Sequence, residues 1–427
     1  MSETSDKLRR WLKKSRSAGE INEMLVDICR NGDLEALKLL LDAGADVNAR
    51  EDGESGQTPL LAACCWYKPD IVRALIAAGA DVNAAENNIR HYSPLHYASS
   101  FEYRDGYSEI VRALIAAGAD LNAKTDDGMT PLMMTESLEV AKVLIEAGAD
   151  LEAKDDEGST ALLYAHGYRG ELIQLALIEA GADVNVQDKY GMTPLIQAAS
   201  EGELEALQAL IRAGANVNAV YSEEELRKTA LMFAISGGWS APSKTVRLKA
   251  VRMLIAAGAD VNAKDAEGKT ALMYACEYGF ANIVRALLKA GAGAEVKART
   301  AGGWTAWLYA FCNQSKRTME RLVQAGAEEV IDVAAKDRLD RTPLLLASEC
   351  GQQAAMRVLI EAGADVNAKD KLFGMTPLMY ACEKRNAEAV QMLIAAGADV
   401  NAKDEDGRTA LDMTRKSEIR DLLKNRS

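Results

Sequence analysis

Aromatic side chains make up only 5% of this 427-residue sequence, which also holds just three histidines and eight prolines. The histidines, His91, His96 and His166, supply no spacing that suggests a nucleophile, base and acid, so no enzyme is expected. Seven cysteines occur without a Cys-x-x-Cys pair, which leaves a zinc or dithiol site without a framework. No apolar run approaches the roughly 20 residues needed to cross a bilayer. The opening MSETSDKLRRWLKKSRSAGE lacks the apolar core of a secretory signal. Together with free thiols in this number, that predicts a cytoplasmic chain.

Positive charge is also in deficit. A formal net charge of −13 argues against nucleic acid as the main partner. Residues 1–19 are the exception, with six basic and two acidic side chains. Leu8, Trp11 and Leu12 have helical spacing there, so this segment is either a basic tail or an extra capping helix. Residues 7–16 offer at most a weak contact with a membrane surface or an acidic partner.

What the sequence has in abundance is repetition. VRALIAAGADVNA at 72–84 returns as VRALIAAGADLNA at 111–123 and VRMLIAAGADVNA at 251–263. Ala-Gly-Ala places a glycine at 44, 79, 118, 148, 181, 214, 258, 291, 326, 363 and 397. Between these glycines a second phrase, Thr-Pro/Ala-Leu, begins at Thr58, Ser93, Thr130, Thr160, Thr193, Thr229, Thr270, Thr305, Thr342, Thr376 and Thr409. The hydroxyl predicts a helix N-cap, and the proline after it sits where no N–H is needed. Five residues after the hydroxyl stands an alanine in most repeats, small enough for neighbouring helices to stack. The second helix, such as Leu204, Leu207, Leu210 and Ile211 on one face, stops at Ala-Gly, and the Asp and Asn that follow favour a turn.

That period and these phrases, as in GMTPLIQAASEGELEALQALIRAGANVNA at 191–219, resemble the ankyrin repeat over about residues 20–424. The near-identical GADVNAKD phrases look like bacterial arrays of the family. The resemblance implies an all-α solenoid of about 12 helix-turn-helix-hairpin repeats, including atypical N- and C-terminal caps, in one domain over 20–427. It implies a protein-binding scaffold, monomeric and without cofactor, that seats its partner on hairpin tips and inner helices. A spacer without a client, or an effector delivered into a host cell, are the alternatives.

Two tempting motifs dissolve into the repeat. Gly268-Lys269-Thr270 lacks the first glycine of a phosphate loop, since position 263 is alanine. Asp399 to Gly407 resembles a calcium loop, but the first and twelfth ligand positions fall on Ala402 and Met413. Four cysteines, Cys29, Cys64, Cys276 and Cys382, share one small, buried repeat position. Cys65, Cys312 and Cys350 fall one or two residues later, nearer solvent.

Function must then lie in positions the framework leaves open. Tyr92, Tyr190, Trp304, Leu339 and Phe373 are expected at fingertips, and Trp66, Phe101, Tyr168 and Tyr278 at inner-helix ends. Trp66, Tyr92 and Phe101 should form one aromatic patch. Tyr278, Trp304 and Phe373 should form a second, flanked by Arg338, Arg341, Lys371 and Lys384. Trp307, in a leucine position, is expected in the core. Of two enlarged turns, 99–108 and 237–245, at least one is expected to pack over a neighbouring repeat or serve as a secondary contact site. The repeat from Thr130 to Gly148 is three residues short and carries Thr135 for the stacking alanine, so it should be the weak link.

Overall fold

The computed structural model describes residues 8, 11–12, 18–51, 56–88, 90–100, 107–223, 226–237, 242–313, 315–325, 332–337 and 339–424. The chain divides into two compact units, one of residues 1–198 with 205–216, the other of 199–204 with 217–427. Each is a stack of helix pairs joined by extended fingers.

One repeat shows how the phrase folds. Thr58 stands in extended backbone and its hydroxyl accepts from the Leu61 amide, with Pro59 at the first turn of the Pro59–Cys65 helix. That cap is worth about 1 kcal/mol. The antiparallel Pro69–Ala77 helix follows. At its end Gly79 adopts φ +88°, its amide donates to Ile76 and the Ala80 amide reaches back to Leu75, each at 3.0 Å. A side chain at Gly79 would strain this left-handed stop, which explains the invariant Ala-Gly-Ala. Leu60, Leu61, Ala63, Ile71, Val72 and Leu75 are all buried between neighbouring pairs.

The finger phrase does more than turn. The Asp81 carboxylate accepts from the Asn83 amide at 2.9 Å, as expected for local turn chemistry. Asn48 of the preceding repeat accepts from the Asp81 amide at 2.8 Å, and Asn83 accepts in the same way from Asp120. Asn185, Asn218 and Asn367 repeat the stitch to Asn216, Asp260 and Asp399. In these repeats the Asp/Asn-x-Asn phrase therefore both turns the chain and sews one repeat to the next. The opposite strands of the fingers form a second ladder, with Lys189 donating to Glu157, Lys336 to Gly302 and Lys371 to Leu339 at 2.7–2.8 Å. At Gly302 the approach is so close that a Cβ would lie 1.3 Å from the Lys336 carbonyl oxygen.

Several elements depart from the pattern. Residues 131–134 form only a turn, so the short repeat has no inner helix before Leu138–Glu146. The next inner helix shrinks to Ala161–Tyr164. Val220 lies opposite Thr229 and Tyr221 opposite Lys228 in a small antiparallel pair. At the amino end Ala18–Asn31 and Leu34–Asp42 pair without the Thr-Pro-Leu phrase, and Leu8 is helical and buried. Trp307 is in the core.

The two enlarged turns are described in part. Tyr107 buries its ring 4.7 Å from Tyr67 of the preceding repeat, while Phe101 and Tyr103 lie outside the described residues. In the second turn Trp239 lies outside them too, but Arg247 is buried and binds it together. Its guanidinium donates to the Ile235 carbonyl at 2.6 Å and to Pro242 at 3.0 Å. All seven thiols are free. Cys29, Cys64, Cys276 and Cys382 occupy the buried position, and burial pushes the Cys29 thiol up to about 12. Cys312 is buried as well, contrary to expectation, because its helix position still faces the next repeat, its sulfur lying 3.9 Å from the Pro343 oxygen.

Candidate functional site

The residue just before the Thr position returns from the finger onto the inner helix of its own repeat. It meets the side chain five residues on, four after the Thr. Tyr92 meets Tyr97 edge-on at 5.5 Å, Lys269 lies 4.3 Å from the Tyr274 ring, and Trp304 lies 4.8 Å from Tyr309. This geometry corrects one expectation directly. Trp304 is not a fingertip anchor; it is fully buried, and its indole N–H has no partner among the described residues. Its wide ring fills the space under the finger that Met375 fills in a later repeat.

Of the patch expected in the first unit, Trp66 and Tyr92 lie among the described residues. Trp66 is exposed (55%) at the end of the Pro59–Cys65 helix. Tyr92 instead stacks on His96 at 5.9 Å, and Phe101 lies outside the described residues. His96 itself is a framework group: its Nδ1 lies 2.8 Å from the Ser93 hydroxyl and its Nε2 3.1 Å from the Met129 carbonyl of the next repeat. Tyr190 is partly exposed at its tip, with the Lys189 ammonium 5.0 Å from the ring. The backbone of Tyr168 lies in the Gly167–Glu179 helix.

The second unit holds the more developed site, a cavity of about 380 Å³ between fingers and inner helices. Its floor holds Tyr274 and Tyr309, from a column four after the Thr that also carries Phe233 and Tyr380 in other repeats. Sequence reasoning missed this column because its members were counted as ordinary helix. The recurrence of an aromatic at that one position was the available signal. Lys269 is the centre of the arrangement. Its ammonium lies 4.3 Å and 4.5 Å from the Tyr274 and Tyr309 rings and 2.7 Å from Glu277. Lys228 adds a second cation 5.0 Å from Tyr274. Cation–ring contacts of this kind are worth about 0.5–2 kcal/mol each, more when desolvated.

Acids complete the lining. The Tyr274 hydroxyl donates to Asp265 at 2.8 Å, and burial together with that carboxylate pushes the phenol far above its ordinary value. Tyr309 is raised too, by burial and then Glu277. Both phenols therefore stay neutral donors at any physiological pH. Arg341 is bound between Asp337 at 2.8 Å and Glu349 at 3.1 Å, so it is a neutralised wall rather than a free basic rim. Lys371 and Lys384 are exposed, and Arg338 lies outside the described residues.

Around this floor stand apolar side chains open to solvent. Tyr278 is 43% exposed and stacks on Phe280 at 5.7 Å. Leu339 is half-buried at the cavity edge. Phe373 and its neighbour Leu372, which sequence reasoning passed over, are exposed by 50% and 54%. Their backbone is fixed: the Phe373 amide donates to Asp370 at 2.7 Å and its carbonyl accepts from Glu405 at 2.9 Å. The side chains are free while the chain beneath them is held, which keeps the entropy cost of engaging them low.

Among the described residues no helix is long and apolar enough to cross a membrane. Family models of ankyrin repeats in three copies match residues 25–125, 103–188, 165–265, 222–300, 241–331 and 292–370, and a many-copy model matches 371–413. Among solved structures, the crystal structure of the human ASB11 ankyrin repeat domain is 28% identical, over 55% of this chain and 98% of that one, with a TM-score of 0.37. No curated protein matches. Ankyrin repeats generally mediate protein–protein interaction and are typically not enzymes. With helix pairs, fingers and family models covering nearly its whole length, this chain belongs to the ankyrin-repeat family.

Proposed function

We propose that the chain is a scaffold or adaptor that captures a protein partner in the groove of its second unit, acting as a monomer in the cytoplasm. The observation that carries this is the pairing of a rigid, charged floor at Lys269, Tyr274 and Tyr309 with free apolar anchors at Tyr278, Leu372 and Phe373. Interfaces combine these two elements, a few aromatic anchors carrying most of the energy within a polar surround. Seven free thiols support a reducing compartment. Leu8, helical and buried, supports residues 1–19 as an extra cap.

The test is affinity capture from a cytosolic extract, read by mass spectrometry, with wild type beside Tyr278→Ala/Phe373→Ala. Each truncation should cost roughly 2 kcal/mol of binding and leave the melting temperature unchanged. A partner retained equally by the double variant refutes this groove. Recovery of no specific partner by the wild type leaves a spacer as the better reading.

A further inference from the structure

The outer helices of the second unit carry a charge pattern that the fold does not explain. Nine residues before the Ala-Gly-Ala glycine, an acid stands at Glu35, Asp70, Glu109, Glu139, Glu205 and Glu388. Two of these acids pair with a base of the preceding outer helix, Glu109 with Arg73 at 2.5 Å and Glu388 with Arg357 at 3.7 Å. In three consecutive repeats the same position is Lys249, Asn282 and Arg317. Only Leu172 and Ala354 are otherwise neutral there. Arg252 thus faces a position without its acid, and Arg285 faces another arginine.

The helices Lys244–Ala256 and Ala281–Lys289 contain no Asp or Glu at all, in a chain whose net charge is −13. Among the described residues, Arg252, Arg285, Lys289, Arg317 and Arg321 make no ion pair, and all but the half-buried Arg321 are exposed. Unpaired like charge on neighbouring helices destabilises a fold slightly and attracts an anionic partner.

These cations rim two grooves that meet at Asn282. One, of about 430 Å³, has Lys244, Arg317 and Arg321 around Leu248, Phe280 and Ile283. The other, of about 490 Å³, has Arg252, Arg285 and Lys289 around Ile255 and Ala286. We infer that this outer face binds an acidic protein segment whose carboxylates alternate with apolar side chains. The apolar floors decide between anionic partners, since a nucleic acid or free phosphate would leave them unfilled. A membrane would need protruding apolar anchors. None of the exposed large apolar side chains of the described residues lies on Lys244–Ala256, Ala281–Lys289 or Lys316–Gln324.

The test uses the full chain and a fluorescein-labelled peptide of alternating glutamate and leucine, followed by anisotropy. The informative variant is Asn282→Glu/Arg317→Glu, which restores the acids that face Arg252 and Arg285 and so protects the fold while closing the site. Binding should weaken with rising salt and fall at least about tenfold in this variant, with melting unchanged or raised. A peptide with serine in place of leucine should bind at least about tenfold more weakly. Equal binding by the variant or by the serine peptide overturns the inference. So does tighter binding to phosphatidylserine vesicles or to duplex DNA than to the peptide.

Discussion

Replacing Arg247 by methionine should loosen the enlarged turn at 237–245. The guanidinium is 8% exposed and satisfies two carbonyls, Ile235 at 2.6 Å and Pro242 at 3.0 Å, while lying 5.7 Å from the Phe280 ring. Hydrogen bonds from a charged donor are worth about 1.5–3 kcal/mol each, and the ring contact adds about 0.5–1. Against this stands the desolvation of the charge, visible in a guanidinium held below its ordinary value by burial. The net expectation is a loss of about 2–3 kcal/mol, since methionine fills the volume but leaves two carbonyls unpartnered. A cycle with Gly237→Ala sharpens the test. A Cβ at Gly237 would come within 2.6–2.7 Å of both terminal guanidinium nitrogens, and the residue has φ +76°. With arginine present the alanine meets both a collision and left-handed strain; with methionine it meets chiefly the strain, about 1–2 kcal/mol. Urea unfolding of the four proteins measures the coupling. Additive losses, or an Arg247→Met loss below about 1 kcal/mol, would show that the arginine merely lies along the turn.

Three further outcomes follow from other parts of the stack. Amide hydrogen exchange should be faster over 130–136, where the inner helix is replaced by a turn, than over the Pro194–Glu201 helix; equal protection would refute the weak link. Trp304→Ala should lower fold stability by about 3–5 kcal/mol, the cost of a buried-ring cavity, and Ala275→Leu by about 1–3 through overpacking, so a Trp304→Ala protein that melts like wild type would return that residue to the surface. Burial holds His96 below its ordinary value of 6.5. Just below that value the folded state binds fewer protons than the unfolded chain, so stability is full above it and declines as pH falls through the window beneath. Denaturation midpoints at stepped pH should show that decline in wild type and a shallower one in His96→Gln.

The parts of the fold that are local chemistry were legible before any coordinates. Thr-Pro-Leu reads as a capped helix because cap and first turn are decided by three adjacent residues, and Ala-Gly-Ala reads as a stop because one glycine takes the left-handed turn. Packing between repeats was less legible. Nothing in Asp-Val-Asn says that the asparagine reaches the next repeat, because its partner lies some 30 or more positions away and is a backbone amide. The loss of the inner helix at 131–134 was foreshadowed only as weakness, since a deletion of three residues removes most of one helical turn but does not say which contacts survive. The pair Val220–Tyr221 with Lys228–Thr229 went unread because its strands are two residues long.

The candidate site failed to be legible for a more instructive reason. Sorting positions into framework and free assumes that each repeat position has one fate, yet the structure gives the same position different fates in different repeats. The residue before the Thr is a buried ring at Trp304, a buried cation at Lys269 and an exposed arginine at Arg408. What decides is the size of the partner five residues on and the room under the finger, a pairwise property that no single position carries. Conversely, the acid of the outer helix looked like framework, and its replacement by Lys249, Asn282 and Arg317 is visible only when repeats are compared with one another. Function in a repeat array is therefore best sought where a position departs from its own column. By that criterion the outer helices Lys244–Ala256, Ala281–Lys289 and Lys316–Gln324 stand out as clearly as the aromatic groove, and none of the exposed large apolar side chains of the described residues lies on them.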